Sequence, residues 1–344
     1  MKRTKQIKVG NVLIGGGAPV TIQSMTNTLT TDVDKTIDQI RRLEEAGCEI
    51  IRVSVPDKES LNALGKIKHE IKIPLVADIH YDPKLAIGAS NIADKIRINP
   101  GNIGSIDDVR SIVYSAKNNG IPIRIGVNLG SIEKEFEKQF GLSAKAMVES
   151  AIKHVKLLES LDFYDIVLSL KASDVPKTMQ AYKMISQATD YPLHIGITEA
   201  GTDFAGTIKS SVGIGALLAA KIGDTIRVSL SADPVKEIQV AKEILKSLGM
   251  LNFGVSVTAC PTCARANFDV SSIAKEIEEK TFAVKDPMRI AIMGCGVNGP
   301  GEAKEADIGV VGGKDKCLFY KNGAISDRID KEDIIGKVLN EIKK

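Results

Sequence analysis

Residues 19–55 read PVTIQSMTNTLTTDVDKTIDQIRRLEEAGCEIIRVSV and predict a strand, a helix and a second strand in succession. The two ends, PVTIQS and EIIRVSV, are short apolar runs rich in β-branched residues, which is typical of buried strands. Between them, residues 32–47 combine an acidic start, apolar residues at helical spacing and a terminal glycine, the pattern of an amphipathic helix. The stretch is therefore one complete strand–helix–strand unit.

The same unit recurs along most of the chain. The strand-like runs lie at residues 19–24, 49–55, 74–80, 94–99, 122–128, 165–170, 192–198 and 224–230, and further clear helical patterns lie at residues 143–161 and 231–249. Eight strands that alternate with helices over about 250 residues predict a TIM (β/α)8 barrel. A doubly wound open sheet is the alternative. The barrel is preferred because it leaves no edge strands, and because no G-x-G-x-x-G separates the first strand from its helix.

The pattern changes after Gly249. A strand, a Cys pair and a helix are followed by two strands around a Gly-rich loop, a hairpin that turns at residues 321–323, and a helix from Asp330. We expect a small α+β domain here. The predicted domains are a substrate-binding barrel at residues 1–250 and a second domain at residues 251–344.

Composition excludes several classes of protein. The chain has 344 residues, of which 43% are hydrophobic and 26% charged, as in ordinary folded domains. A net charge of +3, 4% aromatic residues and no Trp argue against nucleic-acid binding. The chain lacks an apolar run of 18 residues and the apolar core of a signal peptide, so neither a membrane span nor secretion is expected. Five Cys in such a chain suggest a reducing compartment, the cytoplasm.

Polar residues occupy the C-terminal ends of the predicted barrel strands, where TIM-barrel active sites are built. They are Arg52 and Ser54, Asp78 and His80, Arg97 and Asn99, Arg124 and Asn128, Ser169 and Lys171, Thr198 and Glu199, and Arg227 and Ser229. Residues two apart on a strand point to the same face, so four Arg and one Lys should converge on one mouth. Guanidinium groups suit phosphate oxygens, and this mouth therefore predicts a small polyanionic substrate such as a diphosphate.

A structural interpretation of the same residues stays open. The arginines would then form ion pairs with Asp78, Glu199 and carboxylates at helix ends. His80 is expected either to orient the substrate or to donate a proton. His194 lies in mid-strand and is expected to be a core histidine with its hydrogen bonds satisfied.

Three cysteines of the second domain carry a redox hypothesis. Cys260 and Cys263 form C-P-T-C, and Cys295 lies in the Gly-rich loop with Glu302 seven positions later. Three Cys and a nearby carboxylate favour an iron–sulfur cluster with one distinct iron. A structural zinc site is the alternative, although zinc usually takes four Cys or His ligands and no His is local. The other two, Cys48 and Cys317, are expected to be buried small hydrophobes.

Motifs along nearly the whole chain resemble the 4-hydroxy-3-methylbut-2-enyl diphosphate synthases of the methylerythritol phosphate route to isoprenoids, in their compact bacterial two-domain form. The motifs are QSMTNT (23–28), RVSVP (52–56), ADIHYDP (77–83), KIRINPGNIG (95–104), RIGVNLGS (124–131), SLKASDV (169–175), PLHIGITEAG (192–201), IGDTIRVSLS (222–231), CPTC (260–263) and MGCGVNGPGEAKEADIG (293–309).

The resemblance implies the reductive ring opening and deoxygenation of 2-C-methyl-D-erythritol 2,4-cyclodiphosphate, with two electrons from flavodoxin or ferredoxin. It implies a ferredoxin/sulfite-reductase-like second domain and a 4Fe-4S cluster held by Cys260, Cys263, Cys295 and Glu302. Glu302, Glu199 and His80 are the candidate catalytic residues. The implied substrate contacts are Arg52, Arg97, Arg124, Asn128, Lys171, Thr198, Glu199, Arg227, Ser229 and Asn298. A homodimer whose active sites are shared between subunits is also implied.

Three other functions compete with this one. A non-redox barrel enzyme acting on a phosphorylated or pterin substrate, with a structural zinc domain, stays open. A radical enzyme that uses S-adenosylmethionine typically needs C-x3-C-x2-C, which residues 260, 263 and 295 do not supply. A non-catalytic regulatory module would not need the polar ring at the barrel mouth.

Overall fold

The computed structural model describes residues 3–251 and 253–342, which form two compact units divided between residues 250 and 251. The first unit is a parallel barrel, and the second is built on a mixed sheet. Among the helices of the described residues, none has the length and apolar character needed to cross a membrane.

Eight parallel strands form the barrel, as the repeated units predicted. They are β3 (Thr21–Met25), β4 (Ile50–Ser54), β5 (Leu75–Asp78), β6 (Lys95–Ile98), β7 (Ile123–Asn128), β8 (Ile166–Lys171), β9 (His194–Ile195) and β10 (Thr225–Ile226). They are hydrogen-bonded in the order β8-β7-β6-β5-β4-β3-β10-β9. A parallel bridge between Leu168 and Leu193 joins the two ends of this order. The prediction of a (β/α)8 fold is therefore confirmed, and the alternative of a doubly wound open sheet is wrong.

Nine α-helices follow or connect the strands within the described part of this unit. They are α1 (Val33–Ala46), α2 (Lys58–Glu70), α3 (Pro83–Ser90), α4 (Ile106–Asn118), α5 (Lys134–Phe140), α6 (Ala144–Glu159), α7 (Val175–Ala188), α8 (Asp203–Ala219) and α9 (Pro234–Ser247). Asp residues cap several of them; the Asp57 and Asp174 carboxylates, for instance, accept backbone N–H bonds at the starts of α2 and α7. Such caps satisfy N–H groups that the helix itself leaves unpaired.

An N-terminal hairpin, β1 (Ile7–Val9) and β2 (Val12–Ile14), precedes the barrel. Its Val9 and Ile14 pack against Ile50 and Val76, which lie near the starts of β4 and β5. The hairpin therefore covers apolar surface at the N-terminal end of the barrel, opposite the predicted mouth. The sequence analysis did not predict it.

The second unit contains a five-stranded sheet in chain order. Its strands are β11 (Val255–Ala259), β12 (Met288–Met293), β13 (Ile308–Val311), β14 (Cys317–Lys321) and β15 (Ala324–Ile329). The first three are parallel, and the last two add on antiparallel. Asn322 and Gly323 connect β14 to β15 with positive φ values of 50° and 79°, as a two-residue hairpin turn requires.

Three helices cover this sheet on two sides. Helices α10 (Val270–Thr281) and α12 (Ile334–Ile342) belong to one core with Ile292 and Phe319, and this core also buries Cys317. A smaller core lies on the other side and contains Met293, Ala303 and Tyr320. Cys48 and Cys317 are both buried, as expected.

Two details differ from the expected elements. Strands β9 and β10 keep regular pairing over only two residues each, and a Cβ on Gly196, directly after β9, would lie 2.4 Å from the Arg227 carbonyl oxygen, so the backbones approach closely there. The predicted Gly-rich loop contains a short helix, α11 (Gly299–Glu305). Pro300 near its start and Glu302 in its first turn both favour a helix N-terminus.

Candidate active site

The barrel interior is lined by charge. Alternation along the strands places Arg52, Asp78, Arg97 and Arg124 on the same inward face, and neighbouring members pair in register across β5, β6 and β7. All four side chains are buried. Apolar interiors are the usual filling of a TIM barrel, so this arrangement marks a site rather than a packing core.

Asp78 lies between two of the arginines. Its carboxylate accepts a hydrogen bond from Arg97 Nη1 at 3.2 Å and lies 3.7 Å from Arg52 Nε. Burial alone would raise the pKa of Asp78, yet Arg52, His80 and Arg97 together hold it well below its usual value. His80 Nε2 lies 3.6 Å from the same carboxylate and 2.9 Å from Arg97 Nη1. The ion pairs of the structural interpretation therefore exist at Asp78.

Cationic side chains of the barrel interior remain without a carboxylate partner. Arg124 is fully buried, and its Nε and Nη1 atoms have no hydrogen-bond partner among the described residues. Lys171, the last residue of β8, is also buried. Burial and repulsion from neighbouring cations lower the pKa values of both groups well below their usual ranges. Positive charge in this interior is therefore poorly compensated, and a bound anion would stabilise it.

Arg227 is held from outside the strands by Glu237 of α9. The Glu237 carboxylate lies 3.9 Å from Arg227 Nη2 and accepts hydrogen bonds from the Leu230 N–H and the Ser24 hydroxyl. Burial is the largest influence on its pKa and raises it. Glu237 was not among the predicted site residues, because a helical pattern does not indicate which polar residue of a helix contacts a strand.

The remaining predicted contacts lie at the mouth, at or just beyond the ends of the strands. Asn128, Thr198 and Ser229 are half-buried there, and Glu199 is exposed. Glu199 has a φ of 51°, the left-handed region that side chains other than glycine seldom adopt. Such strain often occurs at functional positions.

A deeper layer of polar side chains was not predicted. Lys95 is fully buried one residue pair below Arg97, and its Nζ has no partner within residues 3–251 and 253–342. Gln23 and His194 are also buried, and their side-chain nitrogen and oxygen atoms likewise have no hydrogen-bond partner among the described residues. The expectation that His194 is satisfied is therefore wrong: neither ring nitrogen has a partner among the described residues, and the charged groups that influence it, Arg124 and Lys171 foremost, are cationic side chains. Lys95 could have been found, since it precedes Arg97 by two residues and so shares its face.

In the second unit, the cysteine loops lie side by side at one edge of the sheet. Cys260 directly follows β11 and Cys295 follows β12, and these strands pair in parallel with Ala259 opposite Ile292. The Cys260 Sγ accepts a hydrogen bond from the Gly294 N–H at 3.2 Å. Backbone N–H donors to cysteine sulfur are one of the means by which proteins tune iron–sulfur clusters.

Glycines let these loops approach closely. A Cβ on Gly312 would lie 2.3 Å from the Gly294 carbonyl oxygen, and one on Gly294 would lie 2.9 Å from the Ala266 Cβ. Asn267 ties the loops together, because its backbone N–H donates to the Gly294 carbonyl at 2.8 Å. The candidate ligands Cys263 and Glu302 are exposed at this edge, as is Asn298.

The donor set fits a cluster. Among the described residues, no three His, Cys, Asp or Glu side chains converge as ligands of a single metal ion do. A cluster takes one ligand per iron, so its ligands need not converge on one point. Three thiols with a backbone N–H donor on one sulfur, and a carboxylate on the adjacent helix, suit that arrangement.

Solved structures share the barrel fold at low identity. Dihydropteroate synthase from Yersinia pestis aligns with a TM-score of 0.51 and 11% identity, over 71% of this chain and 98% of that chain. A dihydropteroate synthetase solved with a product gives the same TM-score over 72% of this chain. At such identities the likeness concerns the fold alone.

Family models and curated relatives match the chain far more closely. Residues 4–242 match the GcpE TIM-barrel domain, and residues 256–344 match the GcpE protein C-terminal domain. A protein of Caldanaerobacter subterraneus is 56% identical over 100% of this chain and 97% of its own length. A protein of Ruminiclostridium cellulolyticum is 54% identical over 99% of this chain and 97% of its own length. Both are named 4-hydroxy-3-methylbut-2-en-1-yl diphosphate synthase (flavodoxin). The chain belongs to the GcpE family.

Proposed function

We propose that this chain is a 4-hydroxy-3-methylbut-2-en-1-yl diphosphate synthase. It converts 2-C-methyl-D-erythritol 2,4-cyclodiphosphate to (E)-4-hydroxy-3-methylbut-2-enyl diphosphate. The cyclic diphosphate opens at a C–O bond, one oxygen leaves as water, and two electrons and two protons are consumed. Relatives that cover nearly the full chain carry this name together with flavodoxin, which supports reduced flavodoxin as the electron donor, with ferredoxin as the alternative donor.

The observation that carries the proposal is the uncompensated positive charge inside the barrel. Among residues 3–251 and 253–342, four arginines and Lys171 share the interior with two buried carboxylates, Asp78 and Glu237. A diphosphate supplies the missing negative charge, and guanidinium groups match its oxygens. The same groups would stabilise the charge that develops on the phosphate as the ring opens.

Proton transfer falls to residues at the mouth. His80 bridges Asp78 and Arg97 with its ring partly exposed, so it is placed to orient the substrate or to donate a proton. Glu199 is exposed at the end of the seventh barrel strand in a strained backbone conformation. We propose both as candidate catalytic groups, with Asn128, Thr198 and Ser229 as substrate contacts beside them.

We propose that the second unit holds a 4Fe-4S cluster through Cys260, Cys263, Cys295 and Glu302. When bound, the cluster passes electrons from the external donor to the substrate. Carboxylate is a harder ligand than thiolate, so Glu302 suits an iron that must stay accessible. Asn298, the residue before α11, is a proposed substrate contact on the same edge.

The proposal extends to a homodimer in the cytoplasm. The resemblance to the family supports a dimer in which each active site draws on both chains. A reducing compartment suits a chain that keeps three exposed or half-exposed thiols as ligands.

Anaerobic turnover tests the function directly. Protein purified without oxygen is assayed for iron and labile sulfide and is then given the cyclic diphosphate with dithionite. We expect about four iron and four sulfide per chain and formation of the linear diphosphate. Zinc in place of iron and sulfide, with no conversion, would support the non-redox alternative instead.

A further inference from the structure

Lys95 is a buried lysine without a counter-ion. Its side chain is fully buried on β6, and no described residue pairs with its Nζ. Thr21, His194 and Thr225 are also buried, each with side-chain polar atoms that lack a hydrogen-bond partner among the described residues, and the backbone register of β3, β9 and β10 places these three side by side. His194 lies close enough to Lys95 for the lysine to influence its pKa. We call Thr21, Lys95, His194 and Thr225 the inner layer.

Besides Lys95, titratable side chains of the barrel interior and its mouth come from seven of the eight strands and from one helix. They are Arg52 on β4, Asp78 on β5, Arg97 on β6, Arg124 on β7, Lys171 on β8, His194 on β9, Arg227 on β10 and Glu237 on α9. The strand β3 contributes only the uncharged Thr21, Gln23 and Met25. Neither carboxylate contacts Lys95.

A guanidinium holds its proton more tightly than an amine or an imidazole does, so Lys95 and His194 are the groups best suited to relieve the crowding of positive charge. Burial, followed by repulsion from Arg124 and Arg52, lowers the pKa of Lys95 well below its usual value. Its burial and its unpaired Nζ thus favour the neutral amine in the ligand-free protein. Burial, followed by repulsion from Arg124 and Lys171, lowers the pKa of His194 as well.

We propose that binding of the diphosphate draws a proton into the barrel interior and that Lys95 takes it up, an inference that rests on the proposed function. The anion offsets the charge of the arginines, and the Lys95 amine can then bind a proton from solvent as an ammonium. Because binding and proton uptake occur together, substrate affinity depends on pH. Lys171 has a similar environment, but it lies at the mouth among the proposed contacts, whereas Lys95 lies one layer deeper.

Calorimetry measures the proton directly. The oxidised protein is titrated with the cyclic diphosphate, without reductant, in buffers of different ionisation enthalpy at several pH values from about 6 to about 10. We expect uptake of up to about one proton per chain, and affinity that falls up to about tenfold per pH unit as the pH rises through the coupled range. The Lys95→Met variant should take up no proton in that range and bind with a flatter pH dependence.

Two further variants make the result specific. Lys95→Gln keeps a neutral polar group and should behave like Lys95→Met, while Lys8→Met, at an exposed lysine of β1, should behave like the wild type. Proton uptake that persists unchanged in both Lys95 variants would overturn the inference, as would wild-type binding without uptake at every pH. Wild-type protein that does not bind the cyclic diphosphate would contradict the proposed function instead.

Discussion

The position of the Arg97 side chain depends on a neighbouring glycine, Gly126. Its guanidinium crosses β7 at Gly126, where an added Cβ would lie 2.3 Å from the Arg97 Nε, and from there it reaches Asp78 and His80. Gly126 has a negative φ, so its backbone does not require glycine. Glycine is needed here because the Arg97 side chain, which contacts Asp78 and His80, occupies the space that a Cβ would fill.

Gly126→Ala tests this dependence. The methyl group displaces Arg97 from Asp78, and we expect the dissociation constant for the cyclic diphosphate to rise about tenfold, equivalent to about 1.4 kcal/mol. Calorimetry without reductant gives the affinity, and circular dichroism checks the fold. Gly65→Ala in α2 is the control, because nothing lies within 4 Å of its added Cβ. Unchanged affinity in Gly126→Ala would show that the position of Arg97 does not matter for binding.

Glu302 gives a second residue-scale prediction. Three thiols remain in Glu302→Ala, so we expect iron and sulfide contents close to those of the wild type. Turnover with dithionite should fall by at least about 100-fold, since a carboxylate close to the reacting atoms is lost. Glu305→Ala, at the end of the same helix, is the matched control. Full activity in Glu302→Ala would remove Glu302 from the proposed site.

Among the elements, the connection after β7 is held to buried residues of α6 by one carboxylate. Glu133 accepts hydrogen bonds from the Ser150 hydroxyl at 2.7 Å and from His154 Nε2 at 2.6 Å. Burial alone would raise the pKa of Glu133, but the bonds from His154 and Ser150 lower it to about 2. This contact anchors the segment that follows Asn128, one of the proposed substrate contacts.

Glu133→Gln should therefore destabilise the protein in a pH-dependent way. The folded pKa lies below the unfolded value of about 4.3, so the contribution is complete above that value and fades as the pH falls towards 2. We expect a loss of about 1–2 kcal/mol at pH 7, allowing for solvent screening, and a smaller loss near pH 3. Urea unfolding at both pH values measures it. Glu135→Gln, at an exposed pair with Lys153, should change little at either pH.

For the whole molecule, the proposed chemistry is divided between two compact units. The barrel carries the anion-binding charges, while the thiols lie in the second unit. Each unit has its own core, so a substitution in one site should leave the other site folded. This separation allows each site to be disabled alone.

A mixed dimer tests whether two chains share a site. One chain carries Cys295→Ser and the other Arg124→Met, and each homodimer should be inactive. If each site uses the barrel of one chain and the second unit of its partner, the mixed dimer has one intact site and should regain about half of the wild-type activity. Differently tagged chains, co-expressed and purified by both tags, supply the sample. Activity that stays at the level of the inactive homodimers would place each site within a single chain.

Much of this protein could be predicted from local patterns. The eight strands, the hairpin at Asn322 and Gly323, and the burial of Cys48 and Cys317 follow from periodicity and turn chemistry, which are short-range properties. The same alternation placed Arg52, Arg97, Arg124 and Arg227 on one face. The helix α11 was missed because its glycines resemble a loop, although Pro300 favours a helix start.

Long-range packing decided the rest. Glu237 reaches Arg227 from a helix that follows the last strand, and no spacing rule connects a helix residue to a particular strand. Whether His194 finds a partner depends on seven other strands, and the closed barrel surrounds it with cations instead. Local chemistry thus specified the strands and the kinds of charged groups they carry. Closure of the barrel determined which charges remain unpaired, because only folding removes water and brings groups distant in the chain together.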